Sequence, residues 1–578
     1  TAFAGTQWVK IDGPLSTEMT QVVTKTNNAQ EFSFRVHIPR FALHESTLND
    51  QLWDLPDFHG AARHSMPGEP EVPVFTRYIA VPQGATVNVK VDAGKVKKLT
   101  NVNCQPAQAP PPECYGEPEP EFEIDGQIYN SDDLFPGRLY SVEGPFVMRG
   151  LRMIALNLYP VQVRPLSGEA LVYPDLDVKV TFSGGKGVFH SEKRAKSFQA
   201  LYDLTMNRAA YSQEPLAMPR GKSENGAEYV IICPPLMEEA AQTLADWKNL
   251  QGYDTEVYTT DDTGTSVAAI KAWVQDAYDT WDPAPEFVLL LGDAEFISPT
   301  YDGTASDRYY FTVDGADEWV DIYSGRISVD TAAEANKHIQ DIVDYERDPI
   351  YNESVYTNSY HAAYFQHMGG GQAQRRFART TEETYRWFDE YMADSPFTPH
   401  RIYFTESYVN PKYWNQSTYQ WTPLWWTYGD YEIPTDIQKP NLAWDGDAAD
   451  IAAAVNGGTA FITHRDHGST TGWSEPGFEV TDINALTNGD KRPVVWSINC
   501  LTGEFDDETK KDGSKAICFT EAWERHPDGG SVGLLGSTRV SYSGRNDRMF
   551  WGWMDSHWPT YEPEWPVTKD NEIGRAHV

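Results

Sequence analysis

The chain has 578 residues, which is too long for a single hydrophobic core and predicts two to four domains. With 40% hydrophobic residues and a formal net charge of −37, it is expected to fold and to have an acidic surface that repels nucleic acids, so no nucleic-acid partner is predicted. Its apolar runs fall short of the roughly 18 residues needed to span a bilayer, so no membrane span is predicted either.

Residues 1–222 are predicted to form a β-rich domain. Apolar and polar residues alternate over 32–38, 85–91 and 175–182, which is the period of half-buried strands. The N-terminal residues lack a charged start followed by an apolar stretch, so we expect a signal peptide to be absent or already removed. The polar stretch 218–227 is typical of an exposed, cleavable linker.

The five cysteines, at positions 104, 114, 233, 500 and 518, include no CxxC pair. A zinc ribbon or a dithiol redox motif is therefore not supported. Cys104 and Cys114 flank a proline-rich stretch and are candidates for a local disulfide in an oxidising compartment. Because the number is odd, at least one thiol stays unpaired within the monomer.

From residue 227 the pattern changes to alternating strands and helices, which predicts two α/β units with mostly parallel sheets. In 227–350 the order is βαβαβ, which implies right-handed crossovers. A second series occupies 351–578. Its strand candidates are 359–366, 400–406, 458–468, 492–500 and 531–538, and its helix candidates are 376–393, 445–456 and 515–525.

Two strand candidates of the second series end in residues that suggest nucleophilic catalysis, His467 with Gly468 and Cys500. Ligands of parallel sheets bind beyond the carboxyl ends of the strands, so these groups would share one crevice. An imidazole can take the proton of a thiol, and the N–H groups of Gly468 and Cys500 would hold an oxyanion. Taken singly, a buried cysteine is usually only a small hydrophobe. His464 and His467 could also bind a metal, but no third ligand follows at zinc-like spacing.

The combined motifs resemble the gingipain-type cysteine peptidases, peptidase family C25 of the caspase-like clan. The resemblance rests on a strand ending in His-Gly-Ser, a strand ending in Cys-x-x-Gly-acidic-Phe, and the stretches CFTEAW, GLLGST, VLLLGD and SDRYYFTVDGADEWVDIYSGRIS. DLFPGRLYSVEGPFVMRG resembles the inhibitory propeptide of the family. The resemblance implies a β-rich prodomain (1–222) and a caspase-like catalytic domain with subdomains 227–350 and 351–578.

The roles that the resemblance implies are Cys500 as nucleophile, His467 as general base and acid, and Gly468 as an oxyanion donor. They belong to a secreted or cell-surface cysteine endopeptidase made as a zymogen and acting through an acyl-enzyme. Its partners would be protein or peptide substrates and its own prodomain, and no cofactor is expected for catalysis. Cys518 lies in an amphipathic stretch and is expected to be a core residue.

This chain departs from the family pattern at two positions beside the histidine. The family often orients the histidine with an acidic residue, but the matching stretch FQHMGGG has no carboxylate. Gln366 or His367 is a candidate substitute, or the enzyme works with a dyad. Asp466 stands where the family usually has glycine, so the local loop is expected to differ.

A structural calcium site is also implied by the resemblance. It maps onto Asp293, Asp314, Asp317 and Asp321, with the backbone carbonyl of Trp319. Calcium binds oxygen ligands of this kind. The simpler alternative is a solvated acidic loop in an acidic protein.

The specificity pocket is predicted to be positively charged. The best-known gingipain-type enzymes recognise basic residues with an acid after the glycine-rich turn, whereas the matching stretch here, QAQRRFARTTEE, holds arginines. We therefore predict preference for Glu or Asp on the acyl side of the scissile bond, with Arg379 as the main recognition residue. Arg376, Arg539 and Tyr542 are further candidates for substrate binding. Counting back from the matched propeptide segment places Glu113 in the pocket. The alternative is that these arginines pair with neighbouring acids.

Two other functions are compatible with the sequence. A secreted binding or surface protein could keep a peptidase-like scaffold without catalysis. A transpeptidase could use the same dyad, because hydrolysis and transfer share an acyl-enzyme.

Overall fold

The computed structural model of the chain describes residues 6–10, 20–58, 60–114, 116–212, 223, 225–301, 303–392, 395–414, 432–506 and 517–558. Most of the predicted linker 218–227 lies outside these residues. No helix within the described ranges has the length and apolar character that a bilayer crossing requires.

The described part of residues 1–222 is rich in β-strands, as predicted. Its strands are β1 (Thr6–Lys10), β2 (Gln21–Asn27), β3 (Glu31–His37), β4 (Arg40–Leu48), β5 (Gln51–Asp57), β6 (Ala62–Arg63), β7 (Pro73–Ala80), β8 (Ala85–Ala93), β9 (Lys97–Thr100), β10 (Tyr140–Met148), β11 (Leu151–Leu158), β12 (Val161–Arg164), β13 (Glu169–Val172) and β14 (Asp175–Gly184). Two one-turn helices are α1 (Gly126–Tyr129) and α2 (Gln199–Tyr202).

These strands pair antiparallel in sheets ordered β1-β4-β5, β10-β11-β7-β6, β12-β13-β9 and β2-β3-β14-β8. The three strand predictions correspond to β3, β8 and β14. In β14 the alternation has the expected effect: Leu176, Val178 and Val180 are buried, whereas Lys179 is exposed. Burial of these alternate residues in one shared core holds the sheets together.

Residues 227–350 form the predicted α/β unit. Its elements are β15 (Tyr229–Cys233), α3 (Glu238–Gln251), β16 (Thr255–Thr259), α4 (Thr260–Thr263), α5 (Val267–Thr280), β17 (Phe287–Leu291), β18 (Thr300–Tyr301), β19 (Ala305–Ser306), β20 (Tyr323–Ile327) and α6 (Ala332–Arg347). The parallel sheet has the order β16-β15-β17-β20. Val230 and Ile232 pack towards α5, while Ile231 packs towards α3 and α6, so both faces of the sheet are covered.

Residues 351–578 contain a second parallel sheet. The elements are α7 (Ser354–Thr357), β21 (Asn358–Tyr364), β22 (His367–Gly369), β23 (Gln372–Ala373), α8 (Phe377–Arg386), β24 (Thr398–Phe404), α9 (Ala448–Gly457), β25 (Phe461–Arg465), β26 (Gly468–Ser469), β27 (Gly472–Trp473), β28 (Phe478–Glu479), α10 (Val480–Ile483), β29 (Val494–Ile498), α11 (Phe519–Glu524), β30 (Gly533–Leu535) and α12 (Arg545–His557). The order β24-β21-β25-β29-β30 uses all five predicted strands.

Helix α12 was not predicted, although it supplies part of the site described below. Gly552 lies within it, and four aromatic or histidine side chains replace the good helix formers that a sequence pattern relies on. Packing compensates for this weak propensity, because Phe550, Trp551 and Met554 are buried against Trp496 and Ile498 of β29.

The β-rich domain of residues 1–222 docks on the first α/β unit through the turn between β10 and β11. The backbone N–H groups of Val147, Arg149 and Gly150 donate hydrogen bonds to acidic side chains of the loop 314–321. The Arg149 side chain is buried and donates to the carbonyl oxygens of Ala284 and Asp321, at 2.9 and 3.1 Å. This turn belongs to the stretch that resembles the family propeptide.

Candidate active site

The central strands β25 and β29 bring His467 and Cys500 to one edge of the sheet. The two strands are parallel, and Arg465, the last residue of β25, is opposite Ile498, the last residue of β29. Each candidate catalytic residue stands two positions beyond its strand. This is the shared crevice expected at the carboxyl ends of parallel strands.

Cys500 is fully buried and its sulfur accepts hydrogen bonds. The backbone N–H of Ser541 donates to Cys500 Sγ at 3.1 Å, and the side chain of Cys114 in the prodomain also bonds to it. Burial acts to raise the pKa of the Cys500 thiol, but these two hydrogen bonds outweigh burial and the pKa is lowered. The surroundings therefore favour the thiolate, which is the nucleophilic form.

The chain turns sharply after Cys500. Leu501 has a φ of +63°, a conformation that is rare and strained for a leucine. Asn499 anchors the turn, because its side chain bonds to Thr502 at 3.0 Å and to His464 Nδ1 at 2.8 Å. The other ring nitrogen of His464 bonds to the carbonyl oxygen of Glu475, so both nitrogens help to hold the loop. A metal-binding role for His464 is not supported.

His467 is oriented by Gln366. Its Nε2 lies 3.0 Å from Gln366 Oε1, so the tautomer with the proton on Nε2 can donate to that oxygen. Nδ1 is buried and has no hydrogen-bond partner within the described residues, which leaves its lone pair available as a base. Burial, and secondarily the charge of Arg375, lowers the pKa of His467 to about 4. Of the two predicted substitutes for the family carboxylate, Gln366 occupies the position; His367 instead contacts Tyr408.

Gly468 presents its N–H to the carbonyl oxygen of Glu113 at 3.1 Å. A Cβ at this position would lie 2.6 Å from the carbonyl oxygen of Cys500, so only glycine allows this close approach. Asp466, where the family has glycine, is buried and accepts the N–H of Glu475 at 2.8 Å, which holds the following loop in place.

A strand of the prodomain lies across the site in the manner of a peptide substrate. The N–H of Glu113 donates to the carbonyl oxygen of Ser541 at 2.9 Å, and the N–H of Ser543 donates to that of Pro111 at 3.0 Å. Tyr542 pairs with Pro112 in the same antiparallel ladder. The predicted substrate-binding residue Tyr542 thus lies beside the inhibitory strand. In that strand, Cys114 follows Glu113 and lies beside Gly468.

The Glu113 side chain fills a buried pocket whose cation is Arg465. The guanidinium binds both carboxylate oxygens, at 2.7 and 2.9 Å, and both side chains are inaccessible to solvent. Ser543 Oγ donates to the same carboxylate at 3.0 Å, and Asn546 of α12 also bonds to it. Asp547 accepts a second N–H of Arg465 at 2.6 Å, so the guanidinium is held from both sides.

The cation that binds Glu113 is Arg465, which the sequence analysis missed, and not the predicted Arg379. Arg379 bonds to Glu383 one turn along α8 at 3.0 Å, and Arg376 lies 3.5 Å from the same carboxylate. Arg539 binds Asp506 through two bonds of 2.7 Å. These arginines thus follow the alternative in which they pair with neighbouring acids. The missed signal was an arginine at the end of a strand predicted to be buried, since a buried charge requires a partner.

The two remaining predictions about cysteines have different outcomes. Cys518 is fully buried and caps α11, and burial raises its pKa well above the usual range, as suits a core residue. The expected disulfide between Cys104 and Cys114 is wrong, because Cys104 lies in the prodomain core and Cys114 lies against Cys500.

Among the described residues, the predicted calcium ligands Asp314, Asp317 and Asp321 do not form a group with metal-like spacing. Asp314, Asp317 and Asp321 accept backbone N–H groups of the prodomain turn, and the Trp319 ring stacks on Phe146 at 5.3 Å. Asp293 lies elsewhere and accepts Ser328 Oγ at 2.5 Å. Among the residues that the structure describes, one acidic group has metal-like spacing: Asp293, Glu295 and Asp330. Arg525 already pairs with two of its carboxylates, at 3.2 and 2.8 Å.

Comparison with known proteins gives two family matches. The model of peptidase family C25 matches residues 222–576, which is more than half of the chain, and the C25 propeptide model matches residues 20–206. Lys-gingipain of Porphyromonas gingivalis is 24% identical over 563 residues, covering 94% of this chain and 29% of that protein. Gingipain R2 of the same organism is 25% identical over 498 residues, covering 84% of this chain and 60% of that protein.

A solved complex of the pro- and mature domains of Porphyromonas gingivalis RgpB aligns with a TM-score of 0.45 and 20% identity, covering 60% of this chain and 74% of that one. The chain spans less than two thirds of the length of both curated relatives.

Proposed function

Because this chain belongs to peptidase family C25, we propose that it is a cysteine endopeptidase made as a zymogen, with Cys500 as nucleophile and His467 as general base. The observation that supports this best is the inhibitory strand. The carbonyl oxygen of Glu113 accepts the Gly468 N–H while its side chain binds Arg465, so the prodomain occupies the site as the acyl part of a substrate would. Secretion or a cell-surface location belongs to the proposal and is supported by the acidic composition.

The chemistry follows from these groups. A substrate strand pairs with 541–543, and its scissile carbonyl oxygen takes the place of the Glu113 oxygen at Gly468 N–H. Cys500 sulfur attacks the carbonyl carbon, and the thiol proton goes to His467 Nδ1 and from there to the leaving amine. The resulting thioester is attacked by water, whose proton His467 removes, and the acid product and free Cys500 are released.

We further propose that the preferred residue on the acyl side is Glu, with Arg465 as its recognition residue. Asp547 accepts one N–H of the Arg465 guanidinium, and the N–H groups that face the pocket bind both oxygens of the Glu113 carboxylate. The paired bonds of a guanidinium match a carboxylate in both geometry and charge, and the same pocket disfavours lysine and arginine.

A peptide series that differs only at this position tests the specificity. The activated enzyme should cleave the Glu peptide about 100-fold or more faster than the Gln peptide, because a buried guanidinium that loses its partner costs about 3–5 kcal/mol. Faster cleavage of Lys than of Glu peptides would refute the role of Arg465.

The nucleophile is tested with two cysteine variants. Cys500→Ala should lower turnover by about 1,000-fold or more, and Cys518→Ala, a matched change at a buried thiol, should retain turnover in the folded fraction. Full turnover by Cys500→Ala would refute Cys500 as the nucleophile, whereas no turnover by the activated wild type would favour a binding function. Adding an amine acceptor to the same assay distinguishes a transpeptidase from a hydrolase, because a transpeptidase would transfer the acyl group to the amine and form an amide product.

A further inference from the structure

Cys114 is the residue directly after Glu113, on the far side of the bond that corresponds to the scissile bond. It lies beside Gly468 in a β-bridge, is buried, and bonds through its side chain to that of Cys500. Both thiols are free. The prodomain thus places a second sulfur directly against the proposed nucleophile.

The two sulfurs of this pair are chemically unequal. Cys500 accepts hydrogen bonds from Cys114 and from the Ser541 N–H, and its pKa is lowered, whereas the bond to Cys500, followed by burial, raises the pKa of Cys114. Cys500 is therefore the more readily ionised of the two sulfurs, and Cys114 is the one that more readily keeps its proton. Oxidant-sensitive cysteines have this composition: a low-pKa sulfur that reacts first and a neighbouring thiol that resolves the product.

The other thiols of the chain lack these features. Cys104, Cys233 and Cys518 are buried in hydrophobic cores, and desolvation raises the pKa of each. All five thiols are buried, but these three lack the hydrogen bonds that lower the pKa of Cys500, so Cys104 provides a matched control within the same prodomain.

We propose that Cys114 and Cys500 form a reversible disulfide site that joins the prodomain covalently to the catalytic domain when the zymogen meets peroxide. Cys500 thiolate attacks one oxygen of hydrogen peroxide, the O–O bond breaks, and Cys500 sulfenic acid and hydroxide form. Cys114 sulfur then attacks the sulfenic sulfur, hydroxide leaves, and the Cys114 proton converts hydroxide to water. The proton that Cys500 lost on ionising converts the first hydroxide to water, so in sum two thiols are oxidised, one peroxide is reduced, and two waters form.

This disulfide has two consequences for the zymogen. It keeps the inhibitory strand in the site, so activation requires a thiol reductant that returns both sulfurs by exchange. It also stops the oxidation of Cys500 at the disulfide stage, before the irreversible sulfinic acid. The inference depends on the proposed function only in naming Cys500 as the nucleophile.

The test uses the full chain, treated with hydrogen peroxide, alkylated at its free thiols and mapped by mass spectrometry. Wild type should yield a peptide pair joined through Cys114 and Cys500 that is lost on reduction with dithiothreitol. Cys104→Ser should yield the same pair. Cys114→Ser should yield none, and its Cys500 should accumulate as sulfinic acid.

Equal accumulation of sulfinic acid in wild type and Cys114→Ser, with no joined peptide, would overturn the proposal. A functional measurement accompanies the mapping: peroxide-treated wild type that is then carried through activation should show no peptidase activity until dithiothreitol is added, whereas Cys114→Ser should not be rescued. The joined peptide is detected by its mass and not by activity. If the chain forms this peptide but cleaves no substrate, the proposed peptidase function is refuted and the proposed disulfide is supported.

Discussion

Replacing Glu113 by glutamine should weaken the hold of the prodomain on the active site. The change preserves the shape of the side chain but removes its charge. One oxygen can still accept from Arg465, whereas the amide NH₂ would face the second N–H of the guanidinium, and two donors repel each other. The bonds from Ser543 and Asn546 would have to rearrange as well.

The expected loss follows from burial. Both side chains of the Glu113–Arg465 pair are 0% exposed, and removing one partner of such a pair costs about 2–5 kcal/mol, or roughly 30- to 5,000-fold in the population of the open state. Asp547 still neutralises part of the Arg465 charge, so we expect the lower half of this range.

Glu119→Gln is the matched control, because Glu119 belongs to the same segment and pairs with Arg375. Its side chain is 49% exposed, so water screens the pair, and the expected cost is below about 1 kcal/mol, or roughly fivefold.

The assay is the rate at which an electrophilic peptide with Glu in the acyl position labels Cys500 in the full-length zymogen, followed by intact mass. Only the open state reacts, so the rate reports its population. Glu113→Gln should be labelled much faster than wild type. Glu119→Gln should be labelled nearly as slowly as wild type. Equal rates for the two variants would show that the pocket contact does not hold the prodomain.

Further predictions concern the histidine, the glycine and calcium. Gln366→Glu places a carboxylate beside His467; this favours the imidazolium, raises its pKa, and should move the acid limb of kcat/KM to higher pH by about one unit. An unchanged limb would show that Gln366 does not orient the base. Gly468→Ala should lower kcat about 100-fold, since its Cβ would meet the Cys500 carbonyl and displace an oxyanion donor; normal kcat would remove that role. Calcium binding stays a prediction. Calcium should raise the Tm of the activated chain, and Asp317→Asn should abolish this rise; a Tm that does not change with calcium would refute the prediction.

The architecture was predictable from the sequence because it depends on local patterns. Apolar residues with a period of two predicted β3, β8 and β14, and apolar runs between amphipathic stretches predicted all five strands of the second parallel sheet. The strand ends also located His467 and Cys500, since parallel neighbours end at the same edge. Position relative to a strand end is a local property, so it can be read along the chain.

Which charges and thiols meet was decided only by the tertiary structure. Glu113 was located by its position in a matched segment, but its partner Arg465 is 352 residues away and was not among the candidates. Arg379, the main candidate, and Arg539 pair with acids of their own. The same holds for Gln366 beside His467 and for Cys114 beside Cys500. Charge and reactivity depend on burial and on neighbours across the fold, and no pattern along the chain specifies those.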